Sequence, residues 1–357
     1  MGARWTAICA WSLLGCDATV VDLGQSVPDA CRPTPVTLAT DVNRLDRVGA
    51  AGDVVFVSYE ADSARNLLLL DSQGPVRTSS ISGSLGAIAA SAAALDGAWY
   101  VAFQHHQRTG SWTVYASGLD LDAGLSVSEA APVNPPDVPS FHPLIQAGTD
   151  ELQVFYRASA RLEVAVGTLQ AGFTAAQSID APSPVNLLKT LAVDATGRTW
   201  VAGRGAAGVL FEVGRNPSAS GALRVGQGPW LTPDGDGVLV SSQLSDGPVV
   251  VDRYTSVETP PTRWVEEVVP SGEMATVLTR APDGSVWLGW QDLERGTVSA
   301  REVGASGEVG PILELETSAT STAAQPSLEA ASTAEAGWIV WYHPRDREIR
   351  GARMGCQ

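Results

Sequence analysis

Four histidines and a few arginines are the side chains here best suited to chemistry, and their spacing limits what that chemistry can be. His105 and His106 are adjacent, His142 sits in the proline-rich joint Pro132 to Pro143, and His343 lies close to the C-terminus. Clustered imidazoles can hold a metal. This spacing, however, matches no known ligand signature, and no carboxylate is fixed beside the histidines, so neither a metal nor a cofactor is expected. Arg157, Arg161 and Arg204 can grip a carboxylate or sulfate, because paired guanidinium N–H donors match those oxygens. The competing reading is that they neutralise nearby acids. Candidate acids are Glu60, Asp62, Asp246, Asp292 and Glu294. A glycosidase would need two of them facing across a cleft. The acid-rich stretches Asp120-Leu121-Asp122-Ala123-Gly124 and Asp234-Gly235-Asp236-Gly237 lack a full calcium-ligand pattern and sit where hairpin turns are needed. No nucleophile elbow, P-loop, dinucleotide fingerprint or zinc-protease motif occurs. No residue is assigned a catalytic role, and whether the chain is an enzyme stays open, with the balance toward a binding protein.

The elements that position these residues show up as a repeated short apolar run ending in a polar residue. The runs are Phe56–Glu60, Tyr100–Gln104, Gln153–Arg157, Trp200–Arg204, Leu239–Gln243, Trp287–Gln291 and Ile339–His343. Their second position is Val six times and Leu once, as a packed core position would be. The closing polar residues are 44, 53, 47, 39, 48 and 52 residues apart by subtraction of their numbers. Periods of this size, without a 3.6-residue rhythm, suit four-stranded blades and not helical arrays. A turn signal such as Leu95-Asp96-Gly97, Ala195-Thr196-Gly197 or Pro282-Asp283-Gly284 precedes the run, with another short strand before it. A loop, a third strand, a Gly-containing turn and a weaker fourth strand follow. That order is a propeller blade, and the expected fold is an all-β, seven-bladed β-propeller of four-stranded antiparallel blades.

The seventh blade reaches the C-terminus after its third strand, Glu348 to Arg353. The alternating segment Thr34 to Thr40 can supply the missing outer strand and leave no open edge there. Cys31 would then enter beside the exit of the third strand, where Cys356 lies. A Cys31–Cys356 disulfide would lock the seam; the alternative is two free thiols.

In a propeller, the loops after the second strands and those joining successive blades share one face around the central channel. That face gathers Glu60, Gln104, Arg157, Arg204, Gln243, Gln291 and His343, together with His105, His106 and His142, as a candidate binding rim. The competing reading is that they are strand-end residues facing water or bonding to neighbouring blades. Trp290 and Tyr342 are expected in or near the core and not on a sugar-stacking platform.

The strand rhythm from about residue 34 to 356 resembles that of bacterial propeller lipoproteins, and distantly that of the sialidase superfamily. The sialidase repeat carries an Asp-box, Ser-x-Asp-x-Gly-x-x-Trp. Pro282-Asp283-Gly284-Ser285-Val286-Trp287 has the Asp, Gly and Trp but not that spacing.

The N-terminus reads as an address. Met1-Gly2-Ala3-Arg4 is a short basic start, and Trp5 to Leu14 is an apolar run too short to span a bilayer but suited to a signal peptide. Leu13-Leu14-Gly15-Cys16 resembles a lipobox, which implies cleavage before Cys16 and lipidation of that residue. The expected organisation is a signal peptide over residues 1–15, a lipid-anchored polar tether over 16–33 and the propeller over 34–357. Export also makes a disulfide reasonable.

The chain has 357 residues, a net charge of -16 and a single lysine, Lys189. Acidity disfavours nucleic acid, whose binding needs basic patches. The expectation is a monomer in the bacterial cell envelope, held at a membrane by lipid. It would be a binding or scaffold propeller for a protein or glycan, the alternative being a carbohydrate-active hydrolase or lyase using the His- and Arg-bearing rim.

Overall fold

The structure, a computed structural model, describes residues 32–355 except 63, 83–86, 107–111, 123–124, 127–129, 136–137, 215–219, 245–247, 267–273, 293–295, 305–307 and 318–327. The signal segment, Cys16, the tether, Cys31, Cys356, Asp246 and Glu294 lie outside those residues. Seven separate sheets follow one another along the chain, each built on four antiparallel strands. The protein is a seven-bladed β-propeller.

The innermost strands, in blade order, are Val42–Ala51, Ala87–Leu95, Ser140–Ala147, Val185–Val193, Gln227–Asp234, Met274–Arg280 and Leu328–Ser332. Each hairpins into a second strand: Val54–Ala61, Ala98–His106, Leu152–Ala158, Thr199–Gly205, Gly237–Gln243, Val286–Asp292 and Gly337–His343. These second strands contain the seven repeated runs. Their invariant apolar position is Val57, Val101, Val154, Val201, Val240, Leu288 and Val340, and every one is at most 1% exposed. Facing blades interlock through this row, and burying each such side chain contributes roughly 1.5–3 kcal/mol. Gly289, in the sixth run, is small for a reason: a Cβ there would sit 2.8 Å from Ile339 Cδ1 of the next blade. Trp290 is 3% exposed, and Tyr342 donates its hydroxyl to Val42 O at 3.1 Å, so both serve the core.

The seventh blade takes its outer strand from the N-terminal end. Pro35–Ala39 runs antiparallel to Glu348–Met354, pairing Pro35 with Ala352, Val36 with Gly351 and Thr37 with Arg350. A bulge between Thr37 and Ala39 turns Leu38 inward, where its Cδ1 lies 2.7 Å from the position a Cβ on Gly351 would take. Val42 N–H then reaches Arg347 O at 2.8 Å, and Trp338 Nε1 donates to Asp71 O in blade one at 3.1 Å.

Blade two departs from the regular plan. Its outer strand is only Ala131–Pro132, while Leu125–Ser126, from the segment leading to it, pairs in parallel with Ile81 and Ser82 on blade one. Proline has no N–H for a ladder, and Pro132 and Pro135 fall where a longer outer strand would have to run.

Within the acid-rich stretches, Leu121–Asp122 and Gly235–Asp236 are turns. Asp234 and Gly237 pair across a hairpin with Gly235 at φ 58°. Arg253 binds Asp234 at 2.6 Å and Asp236 at 2.7 Å, so the carboxylates serve arginine.

Candidate functional site

Seven inner strands surround the central channel, and five of them are irregular. Register shifts interrupt the inner strands of blades one to five, at Leu45/Arg47, Ile88/Ser91, Phe141/Leu144, Leu188/Thr190 and Gln227/Trp230. A bulge re-aims side chains that strict alternation would keep on one side, and here it turns polar groups into the channel.

Midway down the channel these groups form a hub. Arg47, 3% exposed, donates to Pro143 O of blade three and, at 3.0 Å, to Leu188 O of blade four. Lys189 of blade four meets Glu329 of blade seven at 3.2 Å, and its ammonium lies 5.8 Å from the centre of the Trp230 ring of blade five. Burial pushes the Glu329 carboxyl up from its ordinary range, against the pull of Lys189 and Arg47. Burial likewise lowers Arg47 to about 10, which still leaves it charged at neutral pH. A second group lies beside it: Arg65 and Arg44 hold Asp46, and both also approach Glu60, at 3.4 and 3.7 Å.

Above the hub, on the loop face, the bulge in blade three presents Phe141 and His142. His142 has φ 54°, a left-handed backbone that a non-glycine residue adopts only when its surroundings impose it. The imposition comes from blade two, where the buried Gln104 side chain accepts the His142 N–H. The imidazole is driven down to about 3 by burial and then by the charges of Arg47, Arg157 and Lys189, so it is neutral at physiological pH. Its Nδ1 is buried without a hydrogen-bond partner among the described residues. Phe141 lies under the Arg157 guanidinium, 4.4 Å from ring centre to Cζ, and 6.4 Å from Trp112. Trp112 in turn meets the exposed His106 edge-on at 4.9 Å. Arg157 reaches across to Val185 O of blade four at 3.4 Å. Val185 pairs with Gly205, next to the exposed Arg204.

The ten rim candidates therefore divide. His106, His142 and Arg157 come together over blades two and three, with Gln104 beneath them as the support of His142, while Arg204 is exposed at the rim of blade four, on the side its strand turns toward blade five. His105 turns its ring to Tyr115, at 6.2 Å. Gln291 and His343 are buried, and His343 Nδ1 accepts the Asp346 N–H at 3.3 Å. Glu60 belongs to the Asp46 cluster, and Gln243 is half-buried at the end of its strand. Arg161 pairs with Asp180 at 2.7 Å on the outer part of blade three, which removes it from the group. No group of three or more His, Cys, Asp or Glu among the described residues is arranged to hold a metal. Sequence reasoning missed Phe141, Trp112 and the whole hub. The one available signal was Lys189, the only lysine in a chain whose other cations are arginine.

The opposite mouth is different in kind. The last residues of the inner strands, among them Ala50, Ala93, Ala147, Leu191 and Ala192, line a cavity of about 300 Å³ that holds none of the rim candidates.

A seven-bladed propeller with a charged hub spanning its channel and an arginine and aromatic cluster at one mouth is the class this architecture defines. No family model and no curated protein matches the sequence. Among solved structures, the chain is similar to the WD40 domain of Toxoplasma gondii coronin, with TM-score 0.54 and 8% identity over 93% of this chain and 88% of that one. It is also similar to a protein of unknown function from Dyadobacter fermentans, with TM-score 0.50 and 11% identity over 76% of this chain and 95% of that one. A subtype N10 neuraminidase-like protein of A/little yellow-shouldered bat/Guatemala/060/2010 matches at TM-score 0.47 and 8% identity over 75% of this chain and 94% of that one. At such identities the likeness is one of fold.

Proposed function

We propose that this chain is an exported, lipid-anchored binding propeller of the bacterial cell envelope, taking its ligand at the loop-face mouth of the channel. The observation that carries the reading is the blade-three bulge. It holds His142 in a strained backbone and offers Phe141, Arg157 and the neighbouring Trp112 together at one mouth. Strain of this sort is concentrated at functional positions, and a concave point with a few converging polar groups is where ligands bind. A binding role is favoured over hydrolysis because the buried carboxylates of the hub and the group beside it, Glu329 and Asp46, are already engaged by cations. The lipobox-like Leu13-Leu14-Gly15-Cys16 supports the anchor. The pairing of Pro35–Ala39 with the last strand supports a Cys31–Cys356 bridge just beyond it.

Two experiments test this. Screening the chain against immobilised glycans and peptides should yield a ligand whose binding is abolished by changing Arg157 and Arg204 together to Ala. Unchanged binding would move the site elsewhere. Metabolic labelling with an alkynyl fatty acid should mark the wild type and not Cys16→Ser; equal labelling of both would remove the anchor from the reading.

A further inference from the structure

The mouth over blades two to four pairs flat aromatic surface with positive charge that no described carboxylate cancels. His106, Trp112 and Phe141 form a contiguous row of rings across two blades, at 4.9 and 6.4 Å. His106 is exposed, and Trp112 and Phe141 are half-buried. Arg157 caps the row at the blade-three end, and Arg204 is a further exposed cation on the rim of blade four, ion-paired with no described residue. Below them the hub adds Arg47 and Lys189, facing Glu329, with Asp46, itself shared with Arg44 and Arg65, also acting on Arg47. Positive charge thus accumulates at this mouth in a chain of net charge -16.

We propose, building on the binding role assigned above, that this mouth takes an acidic glycan, a chain of pyranose rings bearing carboxylate or sulfate groups. The chemistry of each part selects this ligand. The C–H face of a sugar ring carries slight positive charge and is attracted to the negative face of an aromatic ring, so a row of rings suits successive sugars. Arginine guanidinium groups bind carboxylate or sulfate oxygens through paired N–H donors. Arg204 has its donors open for this, and Arg157 keeps part of its fork beyond the long contacts to Ser159 O and Val185 O, at 3.3 and 3.4 Å. The neutral His142 imidazole at the floor, its Nδ1 without a partner, adds a station for a sugar hydroxyl without adding charge. An acidic peptide would satisfy the arginines but leave the row of rings without matching flat faces.

The test is affinity electrophoresis of the whole chain through gels containing polygalacturonate, dextran sulfate, neutral dextran or polyglutamate. Retardation by polygalacturonate, dextran sulfate or both, with none by dextran and little by polyglutamate, is expected; the two acidic arms separate carboxylate from sulfate recognition. Arg204→Gln, an exposed change that cannot unfold the blade, should weaken retardation at least ten-fold, and Trp112→Ala should do so on the same gels. Equal retardation by polyglutamate would reduce the site to bare charge and overturn the proposal. So would binding of neutral dextran alone, or no retardation at all. If the library screen instead finds a ligand of another class that depends on Arg157 and Arg204, the acidic-glycan assignment fails and the binding mouth stands. A bound ligand indifferent to both arginines would remove the mouth itself.

Discussion

Reducing the proposed Cys31–Cys356 bridge should weaken the ring at one seam and by a large amount. Along that seam Pro35 faces Ala352, Val36 faces Gly351 and Thr37 faces Arg350. The described ladder ends at Pro35 and Ala352, with residues 32–34 outside a strand and Gly355 in a bend at φ 93°; in number alone, the continued register would put Cys31 across from Cys356. Directly opposed residues of an antiparallel pair have Cα atoms about 4.5 or 5.5 Å apart, inside the roughly 4.4–6.8 Å that a disulfide spans. The loop closed is 325 residues long, 356 minus 31. The chain-entropy relation gives about 6 kcal/mol for such a loop, and measured disulfides usually contribute about 2–5 kcal/mol. Guanidinium unfolding of the oxidised chain, the reduced chain and Cys31→Ser should therefore show the last two alike and both less stable by about 2–5 kcal/mol. Mapping of unreduced peptides should find the two cysteines linked. Both thiols alkylating fully without reductant, or a stability change below about 1 kcal/mol, would refute the continued register.

The hub and mouth give further expectations. Lys189→Met leaves Glu329 buried without its cation and should cost about 3–5 kcal/mol by denaturant unfolding, with Lys189→Met/Glu329→Gln recovering much of it; no recovery would mean that packing, not charge, holds the hub. His142 is held neutral, to about 3 against an ordinary 6.5, so its contribution is fully present above about pH 6.5 and is lost as pH falls toward 3, by up to about 1.4 kcal/mol per pH unit. His142→Asn should flatten the fall in stability between pH 6.5 and 5 relative to wild type, and parallel curves would contradict the assigned burial. Gly351→Ala drives a methyl toward Leu38 and should destabilise by about 1–3 kcal/mol, an effect that Leu38→Ala in the same chain should largely relieve.

The blades were legible in the sequence because the second strands are buried on both sides, so each reads as a short, mainly apolar run around Val57, Val101 and their counterparts. The N-terminal outer strand was legible too: Pro35–Ala39 falls within Thr34 to Thr40. The inner strands were legible as strands, Thr190 to Val193 and Ala275 to Leu278 among them, but the side chains they turn into the channel were not. Period-two reasoning depends on an unbroken ladder, and the bulges at Leu45/Arg47 and Leu188/Thr190 shift Arg47 and Lys189 out of phase with their own strands. Phe141 and Trp112 escaped for another reason: they stand outside the repeated run, one in the proline-rich joint and one after the blade-two loop, where no repeat marks a position. Gln104 was chosen as a rim residue and proves to matter from beneath, since a buried amide that fixes a neighbour's backbone and a surface amide are identical in sequence.

The hub also acts as a gauge. Propellers close with about four to eight blades, and the strand pairing within a blade is indifferent to how many stand around the ring. Arg47 joins blade one to blades three and four, and Lys189 joins blade four to blade seven. These spans fit one bore diameter. A ring with one blade fewer would crowd the hub, and a ring with one more would pull Lys189 away from Glu329, leaving a buried carboxylate without its ion pair. An insertion or loss of a whole blade, which repeat genes undergo readily, is thus penalised at the axis even when every new blade folds well and the seam still shuts.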